Sequence, residues 1–167
     1  EKLKTVTRFA YGDSLPEEQR REDSTPVFGS NGLVGYHDKA NTTAPCIIVG
    51  RKGSFGKVVY SEEPCLAIDT TYFIDTSQTK EYIRWLYYCL LCLELDSFSK
   101  DSAVPGLSRE DAYCKLIPFC HTNEQQAIAG FLDQETSRID SLGARINEVI
   151  DKLQEYRTAL ITAAATG

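Results

Sequence analysis

The 167-residue sequence contains no methionine, not even at position 1, and has one tryptophan and two histidines. A chain without an initiator residue reads as an excised piece or a processed product. It has no run of 18 apolar residues, which excludes a membrane-spanning helix of ordinary length. The opening Glu1-Lys2-Leu3-Lys4 carries no apolar signal segment. Six cysteines, at 46, 65, 89, 92, 114 and 120, are too few for a disulfide scaffold and read as reduced thiols used as small core residues. Cys89 and Cys92 have CxxC spacing but sit inside the apolar run from Trp85 to Leu95. With only Cys120-His121 as a complement, no metal centre is expected. His37 and His121 are the two imidazoles, and neither lies near a Gly-x-Ser-x-Gly elbow, so the sequence carries no signal for acyl transfer.

An excess of positive charge is also missing. Lys and Arg number 18 against 24 Asp and Glu, a formal net charge of −6, which argues against a nonspecific nucleic-acid coat. The distribution is uneven. Residues 26–60 carry Lys39, Arg51, Lys52 and Lys57 against Asp38 alone, a net +3, while the segments 1–25, 61–100, 101–120 and 121–167 are each net negative. A local positive island in an acidic chain suits a confined anion contact, and it suits plain solvated surface as well.

What is present divides into two parts. Residues 1–75 are β-prone. Val27-Phe28 and Leu33-Val34 flank Gly29-Ser30-Asn31-Gly32, a tight-turn signal. Cys46–Val49 reads as a buried strand ending at Gly50, and 57–60, 65–68 and 71–74 are further short strands. Residues 78–95 switch to a helix that is apolar on nearly all sides, hence buried, with Trp85, Tyr87 and Tyr88 packing in the core. A loop is expected over 97–106, a capped turn at Ser108 with Asp111, and one more strand over 115–118. Thr122 and Gln125 fit a capping box opening a long helix over 124–161. Within it Ile139, Leu142, Ile146, Val149, Leu153, Tyr156 and Leu160 follow alternating steps of three and four, a heptad seam. A helix of that length exceeds a domain of this size, so most of the seam wants another helix beside it; the other reading is a helix folded flat on the β-rich part. The expected architecture is α+β: a β-rich globule with a buried helix over 1–121, then a coiled-coil-forming helix over 122–167.

The segment Gly50-Arg51-Lys52-Gly53-Ser54-Phe55-Gly56-Lys57-Val58 looks like a phosphate loop but fails as one. Five residues rather than four separate Gly50 from Gly56, and Val58 stands where a magnesium-binding hydroxyl is needed. Together with the Asn31-Gly32 turn and Tyr36-His37-Asp38-Lys39, it suits reading of DNA from a rigid platform, or equally an anion- or protein-binding surface.

Read in order, the blocks PVFGSNGLVGYHDKAN (26–41), IIVGRKGSFGKVVY (47–60), AIDTTYFID (67–75), VPGLSREDAY (104–113) and EQQAIAGFLDQETSRIDSL with LQEYRTALITAAATG (124–167) resemble the specificity (S) subunit of type I restriction–modification systems. The family's Pro-rich entry to the helix is replaced here by Pro118-Phe119-Cys120-His121, and the ending LITAAATG resembles the distal helix of a whole subunit. The resemblance implies one target recognition domain and one conserved helix, half of a subunit that reads a bipartite double-stranded DNA site. It implies no catalysis in this chain, which also lacks an Asn-Pro-Pro-Tyr/Phe adenine-methylation motif. Its implied partners are methyltransferase (M) subunits carrying S-adenosylmethionine, nuclease (R) subunits, and a second copy or half-subunit paired through antiparallel helices, all in a prokaryotic cytoplasm. On this resemblance Arg51, Lys52, Ser54 and Lys57 are candidate DNA contacts shaped by Gly50, Gly53 and Gly56, and Ser30, Asn31, Tyr36, His37 and Lys39 form a second group. The other reading makes these glycines purely architectural, with variable loops such as 14–25 doing the reading. A further alternative is an assembly module whose globule reads nothing.

Overall fold

The computed structural model describes residues 1–19, 23–97 and 106–167. It is α+β and divides into two compact units, residues 1–126 and 127–167. In the first unit a short helix α1 (Leu3–Val6) precedes strands β1 (Ala10–Tyr11), β2 (Thr25–Gly29), β3 (Gly32–His37), β4 (Cys46–Gly50), β5 (Val58–Ser61), β6 (Leu66–Ala67) and β7 (Thr71–Ile74). Helices α2 (Ile83–Leu91) and α3 (Arg109–Cys114) follow, and α4 (Thr122–Thr166) runs from the first unit through the second.

Among the described residues the strands form two sheets, ordered β1-β7-β4-β5 and β3-β2-β6. Strand β4 is central in the first, antiparallel to both β5 and β7, with Ile48 opposite Val59 on one side and Phe73 on the other. All five of its residues are buried, which is why Cys-Ile-Ile-Val reads as an unbroken apolar run rather than an alternating one. Helix α2 packs on β4 and β5 and buries Ile83, Trp85, Leu86, Cys89 and Leu90. Trp85 is thus core. In the second sheet β2 and β3 form the hairpin that the Asn-Gly signal predicts, with Ser30 and Asn31 as its two-residue turn and a bulge beyond Val27. The side chain of Asn41 pairs with Ala67 of β6 like a piece of strand: its Nδ2 donates to the Ala67 carbonyl at 2.9 Å and its Oδ1 accepts from the Ala67 N–H at 2.8 Å.

Four sequence expectations are corrected. The helix expected over 78–95 forms only over Ile83–Leu91. Its first residues are claimed by tertiary partners: Arg8 donates to the Gln78 carbonyl, Thr79 bridges Thr7, and the Tyr82 N–H donates to the Gln125 side chain. Beyond Leu91 the chain turns through Glu94 at φ +48, a left-handed conformation that ends a helix. The strand over 115–118 is reduced to one bridge, Leu116 with Lys2. The Thr122–Gln125 capping box does not form, because Gln125 is fully buried and bonded elsewhere, with Nε2 on Glu81 and the Cys120 carbonyl. Helix α4 is longer than 124–161, spanning 45 residues, about 68 Å at ~1.5 Å per residue. The expected capped turn does form, with Ser108 Oγ accepting from Asp111 N and donating to its carboxylate. Most of the 97–106 loop lies outside the described residues.

All six cysteines are free, with Cys46, Cys65 and Cys89 buried. Cys46 and Cys65 stand 3.6 Å apart beside the Thr42 hydroxyl. The hydrogen bond and burial push the Cys46 thiol up, and the same hydrogen bond draws Cys65 down. Burial alone would push the Asp75 carboxyl up. The N–H groups of Thr43 and Ser77 and the Ser77 hydroxyl, each at 2.8 Å, instead hold it below its usual range.

Asp75 therefore adds stability that is present above the unfolded carboxyl value of about 3.9 and is lost as pH falls below it. Asp75→Asn should flatten that acid limb and cost about 2 kcal/mol at neutral pH, read by urea denaturation across pH 3–7. The loop glycines should differ from one another in the same assay. Gly56 has φ +79, and a Cβ there would drive into the backbone of Leu95 and Asp96, whereas Gly53, at φ +72, meets only Ser30 Oγ at 3.6 Å. Gly56→Ala should cost more than ~2 kcal/mol and Gly53→Ala about 1 kcal/mol.

Candidate nucleic-acid interface

The glycine-rich loop is the connection from β4 to β5, and its position is set by backbone bonds rather than by a ligand. Gly50 N–H donates to the Lys57 carbonyl and Gly56 N–H to the Gly50 carbonyl, closing the loop. Arg51 and Lys52 N–H both donate to the Thr70 carbonyl, and the Arg51 carbonyl accepts from Leu107. The β2–β3 turn lies against it. Lys57 Nζ donates to the Asn31 carbonyl at 2.7 Å, and a Cβ on Gly50 would come within 3.0 Å of the Ser30 carbonyl. The structure therefore brings Ser30, Asn31, Gly53 and Lys57 together, with Lys52 and Ser54 exposed on the same loop.

The second expected group is split. Tyr36 and His37 pair with Pro26 and Thr25 at the far end of the hairpin from its turn, about 14 Å away at ~3.4 Å per residue. Tyr36 is exposed there. His37 Nδ1 stands 2.6 Å from the Asp38 carboxylate and 3.2 Å from the Lys39 N–H, so this imidazole is engaged within its own turn.

Arg51 is not a free cation. Its Nη2 donates to the Asp69 carbonyl at 2.8 Å, and its guanidinium lies over the rings of Tyr11 and Tyr72, 5.0 and 5.8 Å from their centroids. Arg109 approaches Tyr11 at 4.4 Å. Such contacts hold a cation through the ring quadrupole. Tyr72, stacked on Phe9 and Tyr11, donates its hydroxyl to the Leu107 carbonyl. Burial, with the neighbouring Tyr11, pushes its pKa up to about 12, so it remains a neutral donor. Tyr11, Tyr72 and Arg109 carry no local sequence signal. Their partners lie tens of residues away, and Arg109 reads only as part of a capped turn.

The seven seam residues of α4 are all exposed, from 51 % at Leu142 to 64 % at Tyr156. Within its own unit a single helix has nothing to lay against that stripe. Its remaining surface is served locally: the hydroxyls of Thr136, Ser141, Thr158, Thr162 and Thr166 donate to carbonyls four residues back, and Lys152 pairs with Glu148 at 2.6 Å. Among the described residues no three His, Cys, Asp or Glu side chains converge as a metal site, and no helix is long and apolar enough to cross a membrane.

Known proteins share this arrangement. The chain is 28 % identical over 123 residues to the type I restriction enzyme EcoBI specificity subunit of Escherichia coli, covering 72 % of this chain and 26 % of that protein. It is 28 % identical over 141 residues to the EcoprrI specificity subunit of the same species, covering 78 % and 32 %. Its fold matches the S subunit of a type I restriction–modification system from M. genitalium with a TM-score of 0.67 at 22 % identity, covering 86 % of this chain and 40 % of that one. It also matches the HsdS subunit from Thermoanaerobacter tengcongensis with a TM-score of 0.63 at 17 % identity, covering 85 % and 38 %. The chain thus spans about a third or less of the curated relatives' length. The sequence model of the type I restriction modification DNA specificity domain matches residues 2–152, through the β-rich unit and well into α4. With motifs, fold and match in agreement along the same residues, this chain belongs to the type I restriction modification DNA specificity domain family.

Proposed function

We propose that this chain reads one half of a bipartite double-stranded DNA site within a type I restriction–modification complex and docks the methyltransferase subunits of that complex. The observation that carries this reading is that the family match covers residues 2–152, all but the first residue of the first structural unit and more than half of the second. The chain itself supplies no catalytic step and holds no resident cofactor. The methyltransferase partners would bring S-adenosylmethionine, and the restriction subunits the nuclease. The β-rich unit over 1–121 is the reading domain, and the helix over 122–167 is the spacer and pairing element.

The exposed Lys52, Ser54 and Asn31, with the half-buried Ser30 beside them, offer side chains to base edges or phosphates. Lys57 fixes the spacing of the two loops that present them. The exposed Tyr36 and Lys39 lie at the other end of the hairpin, so a duplex touching both ends would run along it. Arg51 supports this platform from behind. The heptad stripe of α4 pairs with the same stripe of a second copy or half-subunit, antiparallel, because only another helix of that period covers it along its length.

Two outcomes test the reading. The complex reconstituted with methyltransferase subunits should enrich one short half-site from a randomised DNA pool. Lys52→Ala should weaken that binding several-fold and lower the salt slope by about 1 if Lys52 meets a phosphate. A pool that stays unbiased would leave only the assembly role. For the helix, sedimentation at high micromolar concentration should show a dimer that Ile146→Glu with Leu153→Glu converts to monomer; a wild-type chain that remains monomeric throughout refutes the pairing.

A further inference from the structure

Lys2, Lys4 and Arg8 belong to a segment whose net charge is negative in sequence, so they attract no notice there. The fold gathers them on one surface that they share with two carboxylates, Glu81 and Glu110. Leu3 and Val6 are buried, which turns Lys2 and Lys4 outward. The Thr7–Thr79 bridge and the bond from Arg8 N–H to the Gln78 carbonyl then lay this segment beside residues 76–81.

Two open concavities result. One, of about 700 Å³, is lined by Lys2, Lys4, Arg8 and Arg109, with Glu110 as its one carboxylate among the described residues. The other, of about 520 Å³, is lined by Lys4, Arg8 and Lys80, with Glu81 as its one such carboxylate and the polar Thr76, Ser77 and Gln78 as neutral company. Lys4, Thr7 and Arg8 line both, so the two form one continuous basic strip. At one end Arg109 lies over Tyr11, whose ring also carries Arg51, so the strip runs on to the base of the glycine-rich loop. Among the described residues, the exposed ammonium groups of Lys2, Lys4 and Lys80 and the guanidinium of Arg8 are not committed to any carboxylate.

We infer that this strip grips the phosphate backbone of the DNA, apart from the loops that meet its bases. The inference rests on the DNA-reading function proposed above and deepens it. An open groove lined by exposed cations matches a repeated point charge better than a base edge, which needs paired donors and acceptors in fixed geometry. A chain with a net charge of −6 also needs its cations sorted to one side before it can approach a polyanion, and this strip does that sorting.

The test uses the full chain reconstituted with methyltransferase subunits, and DNA carrying the half-site that the wild-type complex enriches. Lys4→Gln with Arg8→Gln and Lys80→Gln removes three exposed charges. The slope of log affinity against log salt should become shallower by about 2–3, at ~0.9 for each phosphate no longer neutralised, and affinity at moderate salt should fall about 10- to 100-fold. The half-site enriched from a random pool should stay the same. An unchanged slope in a complex that still enriches a half-site overturns the strip's role while leaving the reading function standing. A changed half-site would make the strip a base reader, and failed assembly with the methyltransferase subunits would make it a protein-docking surface; either overturns the inference. A wild-type complex that enriches nothing removes the reading function itself.

Discussion

Strand β4 is buried along its whole length, and the rest of the first unit is arranged by what that requires. A strand covered on both faces must pair on both edges, because every unpaired amide there would be shut away from water. It therefore takes β5 on one side and β7 on the other. The chain leaving it at Gly50 has nowhere to go but a closed loop back into β5, held at both ends by backbone bonds. That loop is the glycine-rich segment. Gly50 and Gly56 answer to neighbouring backbone, and the loop's shape exists before any ligand arrives.

Charge is sorted by the same scaffold. Of the four cations in the positive island, Arg51 is drawn inward to tyrosines and a carbonyl, and Lys57 is tied to the hairpin turn. Lys52 and Lys39 face solvent. Meanwhile cations from a net-negative stretch gather on one surface with Arg109 and Lys80. Local sequence charge and surface charge are thus different quantities: what reaches solvent depends on which neighbouring side chains are buried as anchors.

The second unit follows another rule. A 45-residue helix satisfies its own backbone, and hydroxyls and an ion pair serve its polar face. Its apolar stripe remains in water, with Ile139, Ile146 and Leu153 more than half exposed. Burying one such side chain stabilises by roughly 1.5–3 kcal/mol, so seven of them give a strong drive to associate. The first unit holds its loops still through backbone bonds, and the second leaves an apolar stripe exposed along its helix.

Much of this was written in the sequence by itself. Patterns with short reach survive folding: the turn at Ser30-Asn31, the apolar run of β4, the Ser108 cap and the three-four spacing of the seam all depend on neighbours within a few residues, and so does the family likeness carried by ordered motifs. Tertiary structure decided what depends on distant partners. It shortened α2, because the Gln78 carbonyl is taken by Arg8 and Thr79 bridges Thr7, so that the helix starts only at Tyr82, whose N–H donates to Gln125 and whose carbonyl accepts from Leu86. It also took Gln125 from its capping box, since a buried amide must bond to the groups buried with it. It laid the Arg51 guanidinium over Tyr11 and Tyr72 and onto the Asp69 carbonyl, and it assembled a basic surface from residues 2, 4, 8, 80 and 109. No local pattern encodes that proximity, because it is set by the burial of Leu3 and Val6 and by the long-range bonds of Thr7 and Arg8 to Thr79 and Gln78.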